Sequence, residues 1–121
     1  MEDYLEAIYC LQLQTGQVHS IDVAEYLKVS KPSVSGAMKA LREKKLVVKE
    51  EDGVLHLTEE GKKLAEAVYE KHVFFQRMFT KLGVDEQVAG RDACLVEHAV
   101  SDEVFEKLKE KYSHVLENED Q

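Results

Sequence analysis

Apolar residues recur at helical spacing in six stretches of this chain and at alternate positions in one. Leu5, Ile8, Tyr9 and Leu13 trace the inner face of a helix over residues 2–14, which Thr15 and Gly16 stop. A second helix, SIDVAEYL, starts with Ser20 or Asp22 as its cap and turns Ile21, Val23, Ala24 and Leu27 inward. Proline pushes the residue before it out of helical geometry and suits a first turn, so a third helix begins near Pro32. Its buried stripe is Val34, Ala37, Met38 and Leu41. Pro32, Ser35, Gly36, Lys39 and Glu43 face outward, with Arg42 at the edge. Two short helices joined by a tight turn predict a helix-turn-helix. LVVKEEDGVLHL then alternates around Asp52 and Gly53, the pattern of a hairpin. Thr58 caps a long helix over Glu59 to Lys81, with Leu64, Val68, His72, Phe75 and Phe79 on one side. A helix over residues 86–100 follows, Ser101 caps a last one to about Tyr112, and the tail LENEDQ is expected to fray.

The fold class this predicts is mostly α. A winged helix-turn-helix domain with a two-stranded wing occupies residues 1–70, and a helical dimerisation domain occupies residues 71–121. The dimer is expected because Val88, Leu95, Val96, Val104, Phe105 and Leu108 offer more apolar surface than so small a domain covers.

Composition removes several alternatives. No apolar run approaches the roughly 18 residues of a membrane span, and the start MEDYLEAIY is acidic where a signal peptide is basic. A cytoplasmic protein that engages no membrane is expected. Cys10 and Cys94 are too few for a disulfide framework. The net charge is −8, yet between Lys28 and Lys49 seven basic residues face Glu43 alone. A basic segment in an acidic chain is an electrostatic footprint for phosphate. Double-stranded DNA is thus the expected partner, with the second helix of the pair in the major groove. Ser33, Ser35 and Lys39 are the candidates to read base edges. Lys28, Lys31, Arg42 and Lys49 are the candidates to hold phosphates, and a dimer would match an inverted-repeat operator.

The acidic remainder carries a second pattern. Asp3 and Glu6 stand at i and i+3 on one helix face, and CLVEH sets Cys94, Glu97 and His98 on one face of another. Taken alone, such groups read more often as surface charge or a core histidine than as metal ligands, and His72 on a mostly apolar face does so too. Cys10 shares the face of Asp3 and Glu6 and reads as a partly buried thiol rather than a ligand.

Together, MEDYLEAIY, VAEYLKVSKPSVSGAMKAL, LTEEGKKLAEAVYEKH and DACLVEHAVSDEV resemble the diphtheria-toxin-repressor-like family of metal-dependent transcriptional repressors, in particular its manganese transport regulator branch. The resemblance runs from residue 1 to about 112. It implies a winged-helix domain, a helical dimerisation domain with metal held between the two, and repression of metal-uptake genes by the metal-loaded homodimer. Carried over by position, the manganese-type ligands are Asp3, Glu6, His72, Glu97 and His98. The sixth position, Glu in the manganese regulators, is Cys94, as in the iron-responsive repressors. Those repressors have Met where this chain has Asp3, and a Glu and a His of their ancillary site where Gln76 and Gly90 stand.

The implied site is a hybrid of a carboxylate cage and one thiolate. Hard oxygen donors suit Mn(II), imidazole suits Fe(II), and thiolate favours softer ions. Mn(II) is expected first and Fe(II) as the alternative, with Zn(II) or Co(II) substituting in vitro. The competing reading is a metal-independent winged-helix regulator that responds to a small organic ligand. An enzyme using Cys94 as nucleophile and His98 as base is not expected, since no orienting residue or oxyanion loop accompanies them.

Overall fold

The computed structural model describes residues 1–118, which divide into two compact units on either side of the Ala67–Val68 bond. In the first unit, helix α1 spans Glu2–Thr15 and buries Leu5, Ala7, Ile8 and Leu11. Ala7 and Leu11 rotate the inner face away from Leu13, which is 66% exposed, against the expectation for it. Gly16 ends the helix at φ +83°, a conformation that suits glycine.

Helix α2 spans Ser20–Leu27, and its cap is His19, not Ser20 or Asp22. The Asp22 carboxylate reaches back to accept the His19 backbone N–H at 2.8 Å, which moves the helix start one residue upstream. Val23 and Ala24 are buried and Leu27 half-buried. Ile21 stands nearly opposite them on so short a helix and is 49% exposed, a second correction. Lys28 then adopts left-handed geometry (φ 57°), and the Val29 N–H bonds back to the Ala24 carbonyl.

Helix α3 spans Lys31–Glu43. Ser30 caps it by accepting the Ser33 N–H at 3.2 Å, and Pro32 sits in the first turn, where no backbone donor is needed. Val34, Met38 and Leu41 are buried and Ala37 half-buried, so the stripe lies where the periodicity put it. Strands β1 (Val47–Lys49) and β2 (Leu55–Leu57) pair antiparallel, Val47 opposite Leu57 and Lys49 opposite Leu55. Five residues, 50–54, join them. The Glu50 N–H bonds to the Val54 carbonyl and the Gly53 N–H to the Glu50 carbonyl, both at 2.9 Å. The Leu55 N–H bonds to the Val18 carbonyl, which fastens the wing to the segment before α2.

Helix α4 spans Glu59–Lys81 and runs from the first unit into the second. The Thr58 hydroxyl donates to the Lys45 carbonyl and accepts the Gly61 N–H. A Cβ on Gly61 would lie 2.0 Å from the Leu46 carbonyl oxygen, and that neighbour is backbone. Gly61→Ala should therefore cost about 3 kcal/mol through overpacking. Urea unfolding checks this, and an unchanged midpoint would show that the contact relaxes freely. Leu64, expected inside, is 47% exposed, and Ala65 one position on is fully buried in its place.

The second unit holds the rest of α4, helix α5 (Glu86–Ala99) and helix α6 (Asp102–Asn118). Phe74, Phe75, Ala93 and Phe105 form its core, with Met78, Phe79, Val96, Val100 and Leu108 packed against them. Phe105, expected on the dimer surface, is 3% exposed. It stacks edge-on to Phe74 at 5.4 Å, beneath the ammonium groups of Lys71 and Lys109. Leu95 and Val104 do remain exposed. Asp85 caps α5 and Ser101 caps α6. No Gly or Pro follows Tyr112, and α6 continues to Asn118, three residues into the tail expected to fray; residues 119–121 lie outside the described residues. Among the described residues no helix is long and apolar enough to cross a membrane.

Candidate metal centre and nucleic-acid interface

The helical spacing of α5 brings donor atoms of Cys94, Glu97 and His98 within 4.8 Å of one another. Its neighbour α4 adds His72, whose Nδ1 lies 3.0 Å from Glu97 Oε2, while His98 Nε2 lies 3.4 Å from Oε1. Glu97 is 1% exposed, a fully buried carboxylate among the described residues. Neither of its oxygens receives a hydrogen bond of acceptable geometry among the described residues, although both imidazoles stand close. Burying an acid this way costs several kcal/mol unless a cation or donors compensate it. Two imidazoles and a thiol gathered around such an acid make, with its carboxylate, a donor set that fits a divalent transition-metal ion.

Lys71, one residue before His72, holds the far end of α5 in place. Its ammonium donates to the Val100 carbonyl at 3.2 Å and pairs with Asp102 at 2.9 Å. The hydrogen bond and charge of Lys71 hold the Asp102 carboxyl below its ordinary range. Lys71 is absent from the residues that spacing singled out, and only its place beside His72 hinted at it. Gln76 and Gly90 face each other, the Gln76 amide lying 3.4 Å from where a Gly90 Cβ would stand. Neither offers a carboxylate or imidazole there. In the first unit, Asp3 is exposed and Glu6 half-buried on α1, at the expected i, i+3 spacing, and Cys10 is half-buried.

The seven residues expected to meet DNA, Lys28, Lys31, Ser33, Ser35, Lys39, Arg42 and Lys49, are all exposed in the first unit. Lys31, Ser35 and Lys39 follow one i, i+4 row of α3, with Arg42 beside its end. The Ser33 hydroxyl shares a 2.9 Å hydrogen bond with that of Ser30, which orients it at the start of the helix. Lys49 lies on β1. The loop beyond it is acidic, with Glu50 3.2 Å from His56 Nε2.

Comparison with known proteins also gives two parts, meeting just before α4 rather than within it. Residues 1–55 match the family model described as "Iron dependent repressor, N-terminal DNA binding domain", and residues 58–121 match "Iron dependent repressor, metal binding and dimerisation domain". The transcriptional regulator MntR of Escherichia coli O6:H1 is 34% identical over 109 residues, covering 90% of this chain and 70% of that protein. The uncharacterized HTH-type transcriptional regulator MJ0568 of Methanocaldococcus jannaschii is 33% identical over 111 residues, covering 90% of this chain and 89% of that protein. Among solved structures, that of the manganese regulator SloR superposes with a TM-score of 0.79 at 33% identity over 90% of this chain. The chain spans about half (51%) of the length of that protein.

Proposed function

We infer that this chain, which belongs to the iron-dependent repressor family and is a metal-dependent DNA-binding regulator, senses Mn(II), with Fe(II) as the second candidate. The observation that carries the reading is the buried Glu97 carboxylate between His72 and His98, whose oxygens lack hydrogen bonds of acceptable geometry. His72, Cys94, Glu97 and His98 would hold the ion, joined by Asp3 and Glu6 from α1. A bound divalent cation supplies the positive charge that this acidic donor set lacks.

Without that charge the carboxylates repel one another, and the donors from the two units have no reason to stay together. Sharing one ligand set then couples the unit that reads DNA to the unit that dimerises. By linkage, DNA must tighten metal binding by the same factor by which metal tightens DNA binding. Similarity to a manganese regulator and the oxygen donors Asp3, Glu6 and Glu97 favour Mn(II). Cys94 leaves room for Fe(II), and Zn(II) or Co(II) would substitute in vitro. The homodimer would bind an inverted-repeat operator in the cytoplasm and repress metal-uptake genes. Family membership sets aside the reading in which an organic ligand is sensed.

An anaerobic titration of duplex binding with Mn(II), Fe(II), Zn(II) and Co(II) tests this. Mn(II) should tighten binding at least about tenfold, a coupling of roughly 1.4 kcal/mol. With four phosphate-holding side chains per subunit, log affinity should fall with log salt at a slope of about −7. Metal that binds stoichiometrically without changing DNA affinity would overturn the reading.

A further inference from the structure

Four of the six glycines have a conformational or steric reason within the chain, and a fifth, Gly90, packs against a neighbouring side chain. Gly16, Gly53 and Gly83 take φ values of +83°, +89° and +97°, a region that L side chains avoid. A Cβ on Gly61 would collide with the Leu46 backbone, and one on Gly90 would make ordinary contact with the Gln76 side chain at 3.4 Å. Gly36 differs from all of them. It lies inside α3 with ordinary helical φ, it is exposed, and a Cβ there would meet nothing within 4 Å. Glycine inside a helix lowers stability relative to alanine, because it frees the unfolded chain and contributes no side chain. The residue therefore weakens α3 and relieves no contact within this protein.

We propose that Gly36 is where the α3 backbone comes closest to the base edges of the bound duplex, so that the space a side chain would fill belongs to DNA. The proposal deepens the DNA-binding reading above and rests on it. Gly36 shares the outward face with Pro32, Ser33, Ser35 and Lys39. Between Lys31 in the first turn and Lys39 two turns on, the exposed positions Pro32, Ser33, Ser35 and Gly36 carry only short side chains or none. A helix with that profile lets the backbone of the short stretch approach the floor of the major groove, while Lys31 and Lys39 reach outward on either side of it. Any Cβ at position 36 would hold the whole helix off the groove floor. Gly36 then sets specificity through distance, while the neighbouring serines and Lys39 supply the polar contacts.

The test uses the full chain loaded with Mn(II), duplexes that the wild type enriches from a random-sequence pool, and an unselected duplex of equal length. Gly36→Ala should raise the thermal midpoint by about 3 °C. It should weaken binding to the selected duplex about tenfold and change binding to the unselected duplex less than about twofold. Gly36→Gln should weaken selected binding further. Unchanged selected binding in both variants would overturn the proposal, as would a lowered midpoint in Gly36→Ala, which would mean the glycine serves the fold. Failure of the wild type to enrich any duplex would instead remove the DNA-binding reading itself.

Discussion

Replacing Glu97 with glutamine is expected to abolish the stimulation of DNA binding by metal and, at the same time, to stabilise the metal-free protein. Glu97 is 1% exposed, and among the described residues no well-formed hydrogen bond reaches its oxygens. Glutamine keeps the shape, removes the buried acid and adds an N–H that can donate to a neighbouring imidazole nitrogen. Relief of an uncompensated buried acid is worth about 1–2 kcal/mol here, or roughly 4–8 °C in the midpoint of a chain this size. Metal acts in the opposite direction. At a hundred times the dissociation constant, an ion that binds only the folded state adds about 2.7 kcal/mol, and Glu97→Gln should forfeit nearly all of it. Thermal melts with and without Mn(II) read both effects. A variant that still gains its full metal-dependent rise would show that Glu97 is not a ligand. A variant with a lowered metal-free midpoint would show that the acid is already well compensated.

The two halves of the chain differed in how much their sequence revealed. Val34, Met38 and Leu41 lie inside and Lys31, Ser35 and Lys39 outside because α3 is long enough for its periodicity to be unambiguous. Short helices were less legible. On α2, Ile21 satisfies a helical count yet faces solvent, and the cap passed to His19 because Asp22 reaches backward rather than starting the helix. Leu13 and Leu64 misled for a related reason: the small residues Ala7 and Ala65 mark the true inner face, and apolar size alone does not reveal it. Phe105 was assigned to a surface because pairwise ring packing between α4 and α6 leaves no trace in a one-dimensional pattern.

At the candidate metal centre, the spacing of Cys94, Glu97 and His98 brings out residues of ligand type. It did not distinguish Glu97 from any exposed helical glutamate. That distinction comes from its burial and from His72, which approaches Glu97 from a segment more than twenty residues away in the chain. The burial of a single carboxylate thus turns an ordinary i, i+3, i+4 pattern into a specific donor set.

On the proposed reading, Cys94 would decide which metal the site prefers. Its sulfur lies within 4.8 Å of donor atoms on Glu97 and His98, and it is only partly buried, so it can lose its proton to an incoming ion. Thiolate is soft and favours Zn(II), Co(II) and Fe(II) over Mn(II), whereas a carboxylate at the same position presents the hard oxygen that Mn(II) accepts. Cys94→Glu should therefore keep the Mn(II) response and weaken the Zn(II) or Fe(II) response about tenfold, a differential of about 1.4 kcal/mol. Cobalt gives a second readout that does not depend on DNA. The wild type with Co(II) should show sulfur-to-metal charge-transfer absorption in the near ultraviolet, and Cys94→Ser should lose it while still binding the ion. If the order of metals is the same in wild type and Cys94→Glu, and the cobalt spectrum lacks the sulfur band, the thiol stands outside the coordination sphere and the hybrid site is wrong. Retention of the Mn(II) response together with loss of the soft-metal response would identify Cys94 as the ligand that widens the metal range of the protein.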